Sequence, residues 1–65
     1  MYIRRIKELR EDNDLLQKEI AKILNISQNT YLQYESGRRN VPIEIIIALC
    51  KFYNVSADYL LNLKQ

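Results

Sequence analysis

The chain has 65 residues, a formal net charge of +2, 48% hydrophobic residues and 28% charged residues. This length leaves room for one domain, predicted to span 1–65, with a modest core that dimerisation is expected to supplement. One cysteine and no histidine exclude an intrachain disulfide, the usual zinc sites and histidine-based hydrolases. No cofactor, metal site or small-molecule ligand is therefore predicted.

Positive charge is concentrated in two places. Residues 1–10 contain four basic residues and one acidic residue, and Arg38 and Arg39 form a second basic point. Such a pattern is also typical of a solvated helix followed by a charged loop, so charge alone does not identify a partner. No apolar run reaches the roughly 18 residues that would span a bilayer, and no secretory signal is present, so a cytoplasmic location is expected.

The first two helices follow from apolar spacing. Residues 2–13 place Tyr2, Ile6 and Leu9 on one helix face with Ile3 at its edge. After a turn at residues 13–14, a second helix is predicted at roughly residues 17–24. Its apolar residues are Ile20, Ile23 and Leu24, with Leu16 leading in and packing onto the core.

Three further helices are delimited by residues that start or end helices. Asn25 suits a left-handed helix end, and Ser27 is a good N-cap for a third helix that begins at Gln28 and ends near residues 36–37. Pro42 opens a fourth helix, predicted to be buried on most sides, although its run of isoleucines at residues 45–47 is also compatible with a strand. Asn54 ends this helix, Ser56 caps a fifth that extends through Leu61, and Lys64 and Gln65 are expected to fray.

The outer face of the third helix carries amides rather than charges. Asn29 and Gln33 point away from Ser27, Tyr31 and Tyr34, which are predicted to face inward, and Gln28 lies at the boundary near the start of the helix. An amide side chain can donate and accept in the geometry of adenine N6 and N7, and an exposed leucine such as Leu32 can contact a thymine methyl group. The same face is also compatible with an ordinary solvated surface, or with a protein partner that contacts Leu32.

Three segments resemble the Cro and lambda-repressor-like helix-turn-helix domains, also called the Xre family. They are Gln17-Lys18-Glu19-Ile20-Ala21, then Leu24-Asn25-Ile26-Ser27, and then Tyr34-Glu35-Ser36-Gly37-Arg38-Arg39. The closing residues 54–61 extend the resemblance over nearly the whole chain. It implies an all-α fold, namely a compact five-helix lambda-repressor-like bundle with the helix-turn-helix at about residues 17–35.

The resemblance also implies roles for individual residues. Gln17, at the start of the second helix, and Thr30 match positions that contact DNA phosphates. Arg10 and Glu35 match a structural ion pair. The base-reading positions are Gln28, Asn29 and Gln33, to which the exposed Leu32 is added, and the loop residues that follow the DNA backbone are Arg38, Arg39 and Asn40.

Two departures from the family pattern affect stability and association. Leu16 stands where the family usually has a serine or threonine, which removes an N-cap at a cost of about 1 kcal/mol. Apolar residues at positions 45 and 52 suggest a self-association surface, and additional core packing explains them equally well. Cys50 is interpreted as a small buried hydrophobic residue. The candidate dimer surface comprises Ile45, Phe52, Tyr59, Leu61 and Leu63.

The resemblance predicts a bacterial or phage-encoded transcriptional regulator. The expected form is a homodimeric repressor that binds a palindromic operator in double-stranded DNA. An adaptor or antitoxin-like module, which would use the same fold to bind another protein, is the alternative. An enzyme is not expected, because the chain lacks histidine and paired carboxylates in a plausible pocket.

Overall fold

Residues 2–63 are described by a computed structural model and form five helices without a strand. The all-α prediction is confirmed, and the bounds differ from those predicted by at most two residues. The predicted fraying of Lys64 and Gln65 lies outside the described residues. The helices are α1 (Arg4–Asp12), α2 (Gln17–Ile23), α3 (Gln28–Ser36), α4 (Ile43–Tyr53) and α5 (Ala57–Leu60).

The helix ends follow local backbone preferences. Asn25, Gly37 and Asn54 have φ angles of 59°, 81° and 57°, which are left-handed conformations that asparagine and glycine tolerate best. The prediction that these residues end helices is confirmed. Pro42 lies at the N-cap position rather than inside the first turn of α4, and its carbonyl accepts the N–H groups of residues 45 and 46.

The N-cap of α3 is Ser27, as predicted. Its Oγ accepts the N–H of Thr30 at 3.0 Å. Replacing Ser27 with alanine should lower the free energy of unfolding by about 1 kcal/mol, because one N–H in the first turn loses its acceptor. Urea denaturation checks this value, with Ser36→Ala as the control, since Ser36 lies exposed at the other end of the same helix. Equal stability of the two variants would contradict the capping role.

The core is formed by side chains from all five helices and the segments before α1 and α4. Tyr31, Ile6, Ile20, Leu49 and Leu60 are the largest fully buried side chains. The rest of this cluster consists of Ile3, Ala21, Leu24, Tyr34, Val41 and Ile46.

The predicted place of Tyr2 on the apolar face of the first helix is wrong. Tyr2 is 58% exposed, whereas Ile3 is 5% exposed. The physical reason is that α1 begins only at Arg4, and Ile3 is extended with a φ of −113°. Helical spacing therefore does not apply to the first residues, and the extended backbone turns Ile3 inward.

Two apolar residues of the α2 region also lie outside the core. Leu16 is 56% exposed and Ile23 is 49% exposed, so the expected packing of Leu16 is wrong. Leu16 is extended, and the preceding Leu15 packs against the core in its place. The missing serine or threonine cap is partly offset, because the N–H of Leu16 donates to the Glu19 carboxylate at 2.7 Å.

Helix α4 is less buried than predicted. Only Ile46 and Leu49 are buried, whereas Ile43, Ile47 and Phe52 are 62%, 47% and 43% exposed. Cys50 is half-buried rather than buried. Burial is confined to part of the surface of α4, because a chain of this size buries a smaller fraction of its surface than a large domain does.

No helix formed by residues 2–63 has both the length and the apolar character needed to cross a membrane.

Candidate nucleic-acid interface

Helices α2 and α3 form a helix-turn-helix. Ala21 is buried on α2, where its small side chain permits close approach of the two helices. The connection spans 24–27, with Asn25 left-handed and the N–H of Ile26 donating to the Ala21 carbonyl at 3.0 Å. This turn leaves α3 packed against α2 by one side, so its other side is available to a partner.

The buried side of α3 consists of Tyr31, Tyr34 and Glu35. Ser27, predicted to share this side, is exposed because it precedes the helix as its cap. Among the positions assigned to base reading, Gln28, Asn29 and Leu32 are exposed and Gln33 is half-buried. Thr30, assigned to the DNA backbone, is half-buried on the other flank, and its Oγ1 accepts the Ser27 hydroxyl at 2.8 Å.

The three amides on α3 are unused by the fold. Within residues 2–63, the side chains of Gln28, Asn29 and Gln33 make no hydrogen bond to another protein group. The Gln33 carbonyl, in contrast, accepts both the Ser36 hydroxyl and the Arg39 N–H. Each amide therefore retains its donors and its acceptor for an external partner.

A buried ion pair joins α1 to α3. Arg10 Nε and Nη2 donate to the two carboxylate oxygens of Glu35 at 2.8 and 3.0 Å. Arg10 Nη1 also donates to the Leu15 carbonyl at 2.8 Å, which fixes the guanidinium against the segment before α2. This bidentate geometry is the strongest form of an arginine–carboxylate pair.

Gln17 is attached to the same carboxylate. Its Nε2 donates to Glu35 Oε1 at 3.2 Å, and its side chain is half-buried. One amide hydrogen is therefore used inside the protein, and the second hydrogen and the carbonyl oxygen are left for a partner. Sequence reasoning placed Gln17 at a phosphate contact but did not detect this internal hydrogen bond.

The environment of Glu35 keeps it ionised. Burial alone raises the pKa of its carboxyl group, but the hydrogen bonds from Arg10 and Gln17 and the charge of Arg10 outweigh burial, so the pKa is below its ordinary value. The buried Tyr31 hydroxyl acts in the same direction, although it forms no hydrogen bond of standard geometry. The hydrogen bond to Glu35 raises the pKa of Arg10.

The loop after α3 begins at the left-handed Gly37 and presents charge at the surface. Arg38, Arg39 and Asn40 are all exposed. The loop is anchored because the Arg39 N–H donates to the Gln33 carbonyl at 3.2 Å. Within residues 2–63, neither arginine is paired with a carboxylate. Their charges are therefore available beside the end of α3.

The residues proposed as a dimer surface do not have equal exposure. Phe52, Tyr59 and Leu63 are 43%, 44% and 69% exposed, whereas Ile45 and Leu61 are half-buried against the core. One face of the Tyr59 ring lies 4.0 Å from the Arg5 guanidinium. Ile45 and Leu61 thus contribute to core packing, which was the other interpretation of these apolar positions.

Sequence reasoning missed two residues near α3. Tyr2 and Lys7 border a surface groove whose other side is formed by Leu32 and Ser36 of α3. Helical periodicity within α1 contains no information about which helix lies opposite these residues. Only the basic character of residues 1–10 was a signal for them.

Comparisons with known proteins agree with this geometry. A family model described as helix-turn-helix matches residues 6–60. The cryptic phage CTXphi transcriptional repressor RstR of Vibrio cholerae is 40% identical over 55 residues, which cover 85% of this chain and 50% of the relative. The HTH-type transcriptional regulator ImmR of Bacillus subtilis is 41% identical over 59 residues, which cover 91% of this chain and 46% of the relative.

A third relative carries a different description. The antitoxin PezA of Streptococcus pneumoniae is 43% identical over 56 residues, which cover 86% of this chain and 35% of the relative. The chain thus spans about half or less of the length of these relatives. No solved structure matches it significantly. The family match over residues 6–60, together with the α2–α3 geometry, establishes that the chain belongs to the helix-turn-helix family of the Cro and lambda-repressor type, a family of DNA-binding domains.

Proposed function

We propose that the protein is a transcriptional regulator that binds specific sites in double-stranded DNA by placing α3 in the major groove. The observation that supports this most strongly is the set of unpaired amides on the outer side of α3. Gln28, Asn29 and Gln33 make no hydrogen bond within residues 2–63, and adenine offers the matching acceptor and donor pair at its major-groove edge. Leu32, 43% exposed, supplies the apolar contact for a thymine methyl group.

The flanking elements are proposed to hold α3 against the DNA backbone. Arg38, Arg39 and Asn40 follow the C-terminal end of α3, Gln17 lies beside Glu35 in the last turn of α3, and Thr30 contributes a polar group nearer the N-terminal end. Phosphate contacts fix register and orientation, whereas base contacts provide sequence preference. Arg10 and Glu35 are assigned to structure, because each satisfies the other inside the protein.

The regulator is proposed to act as a homodimer on a palindromic operator and to repress by covering a promoter. Two copies would place their recognition helices about 34 Å apart in successive major grooves. Phe52, Tyr59 and Leu63 are the exposed apolar candidates for the contact between copies. The relatives named repressor and regulator support this function. No catalytic role is part of the proposal.

An antitoxin-like or adaptor role is the second candidate. The similarity to the antitoxin PezA supports it, and so do the apolar residues of α4 that are exposed in the described part of the chain. In this role, the protein would use an apolar surface to bind a partner protein, with or without DNA. The two candidate functions differ in salt dependence, because binding to DNA phosphates is electrostatic and binding through an apolar surface is not.

Binding to duplex DNA across a salt series tests the proposal. A protein that contacts several phosphates releases counterions, so the logarithm of its affinity falls linearly with the logarithm of salt concentration. We expect a steep decline between about 50 and 200 mM salt, with a slope of about −0.9 per phosphate contacted. Weak binding without salt dependence would favour the protein-binding candidate.

Replacing Arg38 with alanine should weaken binding to all duplexes equally. Its exposed charge has no carboxylate partner within residues 2–63, so we expect it to contact a phosphate and not a base. The salt slope should become shallower by about one. Lys51→Ala, which removes an exposed charge from α4, is the control and should bind as the wild type does. A loss confined to one DNA sequence would contradict the backbone role.

A further inference from the structure

A surface groove of about 350 Å³ lies beside α3 on the side that faces α1. Three parts of the chain form its walls: the N-terminal residues up to Lys7 of α1, the start of α2 and one flank of α3. The residues that line it are Tyr2, Lys7, Gln17, Leu32, Glu35 and Ser36. The groove therefore joins the N-terminal region of the protein to the helix proposed to enter DNA.

With α3 in the major groove of DNA, as proposed above, this surface groove would lie next to a DNA strand. Leu32 and Ser36, four residues apart, form one flank of α3, next to the side that carries Asn29 and Gln33. An α-helix with its side chains is about 10–12 Å wide, and the major groove of B-DNA is about 12 Å wide. The flanks of an inserted helix consequently face the sugar–phosphate backbones. Residues that border the Leu32–Ser36 flank lie where one backbone passes.

Lys7 is the cation available at this flank. It is exposed and makes no ion pair or hydrogen bond within residues 2–63. Helix α3 has no basic residue of its own. The groove's one carboxylate is that of Glu35, which is 5% exposed and neutralised by Arg10 at 2.8 Å. An anion at the groove would therefore meet the charge of Lys7, and the one carboxylate that lines the groove is already neutralised.

Tyr2 is held at the same place by contact with the turn after α3. A Cβ on Gly37 would lie 3.1 Å from the Tyr2 Cβ, so the two residues are in close contact. Tyr2 is nevertheless 58% exposed, and its hydroxyl forms no hydrogen bond within residues 2–63. A phenol hydroxyl is a common donor to DNA phosphates. The contact with Gly37 holds the Cβ and one ring edge of Tyr2 beside the end of α3.

We propose that Lys7 and Tyr2 bind a phosphate of duplex DNA on the strand that passes the Leu32–Ser36 flank of α3. This inference rests on the function proposed above, because it takes α3 to lie in the major groove. The contact adds α1 and the segment before it to the elements that hold the DNA backbone. It is independent of base sequence and fixes the depth and rotation of α3 from the side opposite Thr30.

The first test compares Lys7→Ala with Lys51→Ala. Both residues are exposed lysines, and only Lys7 lines the groove. We expect Lys7→Ala to reduce affinity for specific and scrambled duplexes by the same factor, and to make the salt slope shallower by about 0.9, the value for one phosphate. Lys51→Ala should have the wild-type slope. Thermal unfolding of each variant should match the wild type, because neither side chain is buried.

The second test locates the phosphate. A methylphosphonate substitution removes the charge of a single DNA phosphate, and it is placed at each position of the duplex in turn. At one position the substitution should reduce the affinity of the wild-type protein but not that of Lys7→Ala. Tyr2→Phe keeps the ring against Gly37 and removes only the hydroxyl, so it should bind the unmodified duplex more weakly than the wild type does. The methylphosphonate at that same position should then reduce its affinity by a smaller factor than it reduces the affinity of the wild type. A wild-type slope for Lys7→Ala, with normal DNA binding by the wild type, would overturn this inference alone. Absence of salt-dependent DNA binding by the wild type would overturn the proposed function as well.

Discussion

Replacement of Glu35 by alanine is expected to lower the free energy of unfolding by about 3–5 kcal/mol. The Glu35 and Arg10 side chains are 5% and 12% exposed, so removal of the carboxylate leaves a largely buried guanidinium without its counter-charge. Gln17 loses its internal acceptor at the same time. Small domains have total stabilities of about 5–15 kcal/mol, so this loss is a large part of the whole. Urea denaturation followed by helical circular dichroism measures it.

The double variant Arg10→Met with Glu35→Leu is the matched control for this prediction. It removes both charges and keeps apolar volume at each position, so no buried charge is left unpaired. Apolar replacements of buried ion pairs are often neutral or stabilising. We therefore expect the double variant to be clearly more stable than Glu35→Ala. If Glu35→Ala were as stable as the wild type, the buried pair would not be a structural element of this fold.

The ion pair also predicts how stability depends on pH. The pKa of Glu35 is lower in the folded protein than in the unfolded chain, where it takes the ordinary value of about 4.5. Its contribution to stability is therefore fully present above that pH and is lost as the pH falls through the folded-state pKa. The wild type should lose more stability in this acidic range than the double variant. If the free energy of unfolding of the two proteins fell equally with decreasing pH, the stabilising role of ionised Glu35 would be contradicted.

Replacement of Gln33 by alanine is expected to reduce affinity for the preferred DNA site by about 1–3 kcal/mol, or roughly 5–150-fold. Gln33 lies on the outer side of α3, and its amide has no protein partner within residues 2–63. A bidentate contact with a base would therefore be lost without a compensating internal change. The preference at one base position should also relax. Titration against duplexes that differ at each position in turn measures both effects.

A scrambled DNA duplex is the control for the Gln33→Ala prediction. On a scrambled duplex of the same length and salt concentration, Gln33→Ala and the wild type should bind equally, because phosphate contacts are unchanged. Since Gln33 is half-buried, thermal unfolding of the variant verifies that the fold is retained. An equal loss on specific and scrambled duplexes would assign Gln33 to the DNA backbone. No loss on either duplex would place the recognition surface elsewhere.

The helix ends of this fold could be predicted because they depend on few residues. Asn25, Gly37 and Asn54 adopt left-handed backbone conformations that few other residue types tolerate, and Ser27 satisfies an N–H of its own helix. Each of these preferences acts within a single turn. The sequence therefore contains enough information to place the boundaries of α3 and the C-terminal end of α4.

Which side chains are buried was harder to predict, because burial depends on neighbouring helices. Tyr2 has helical spacing to Ile6 but lies outside the helix, and Ile23 lies at the edge of the packed face of α2. The isoleucines of α4 are apolar on several sides, and sequence alone does not reveal which side is covered. Ile46 is buried, whereas Ile43 and Ile47 are exposed.

The same distinction applies to the candidate interface. The amide side of α3 follows from periodicity within one helix, so Gln28, Asn29 and Gln33 could be identified from sequence. The hydrogen bond from Gln17 to Glu35 joins residues that are 18 positions apart. The groove between Lys7 and Leu32 likewise depends on how α1 packs beside α3. Such long-range arrangements have no signature in the local pattern of a single sequence.

Selection of binding sites from random duplex DNA tests most directly whether α3 is a recognition helix. The purified protein is incubated with the pool, and the retained duplexes are sequenced after successive rounds at increasing salt. We predict enrichment of an inverted repeat whose half-sites are centred about one helical turn apart, and loss of preference at one position of each half-site with Gln33→Ala. Recovery of no common sequence, by wild-type protein that is folded, would contradict sequence-specific binding by α3.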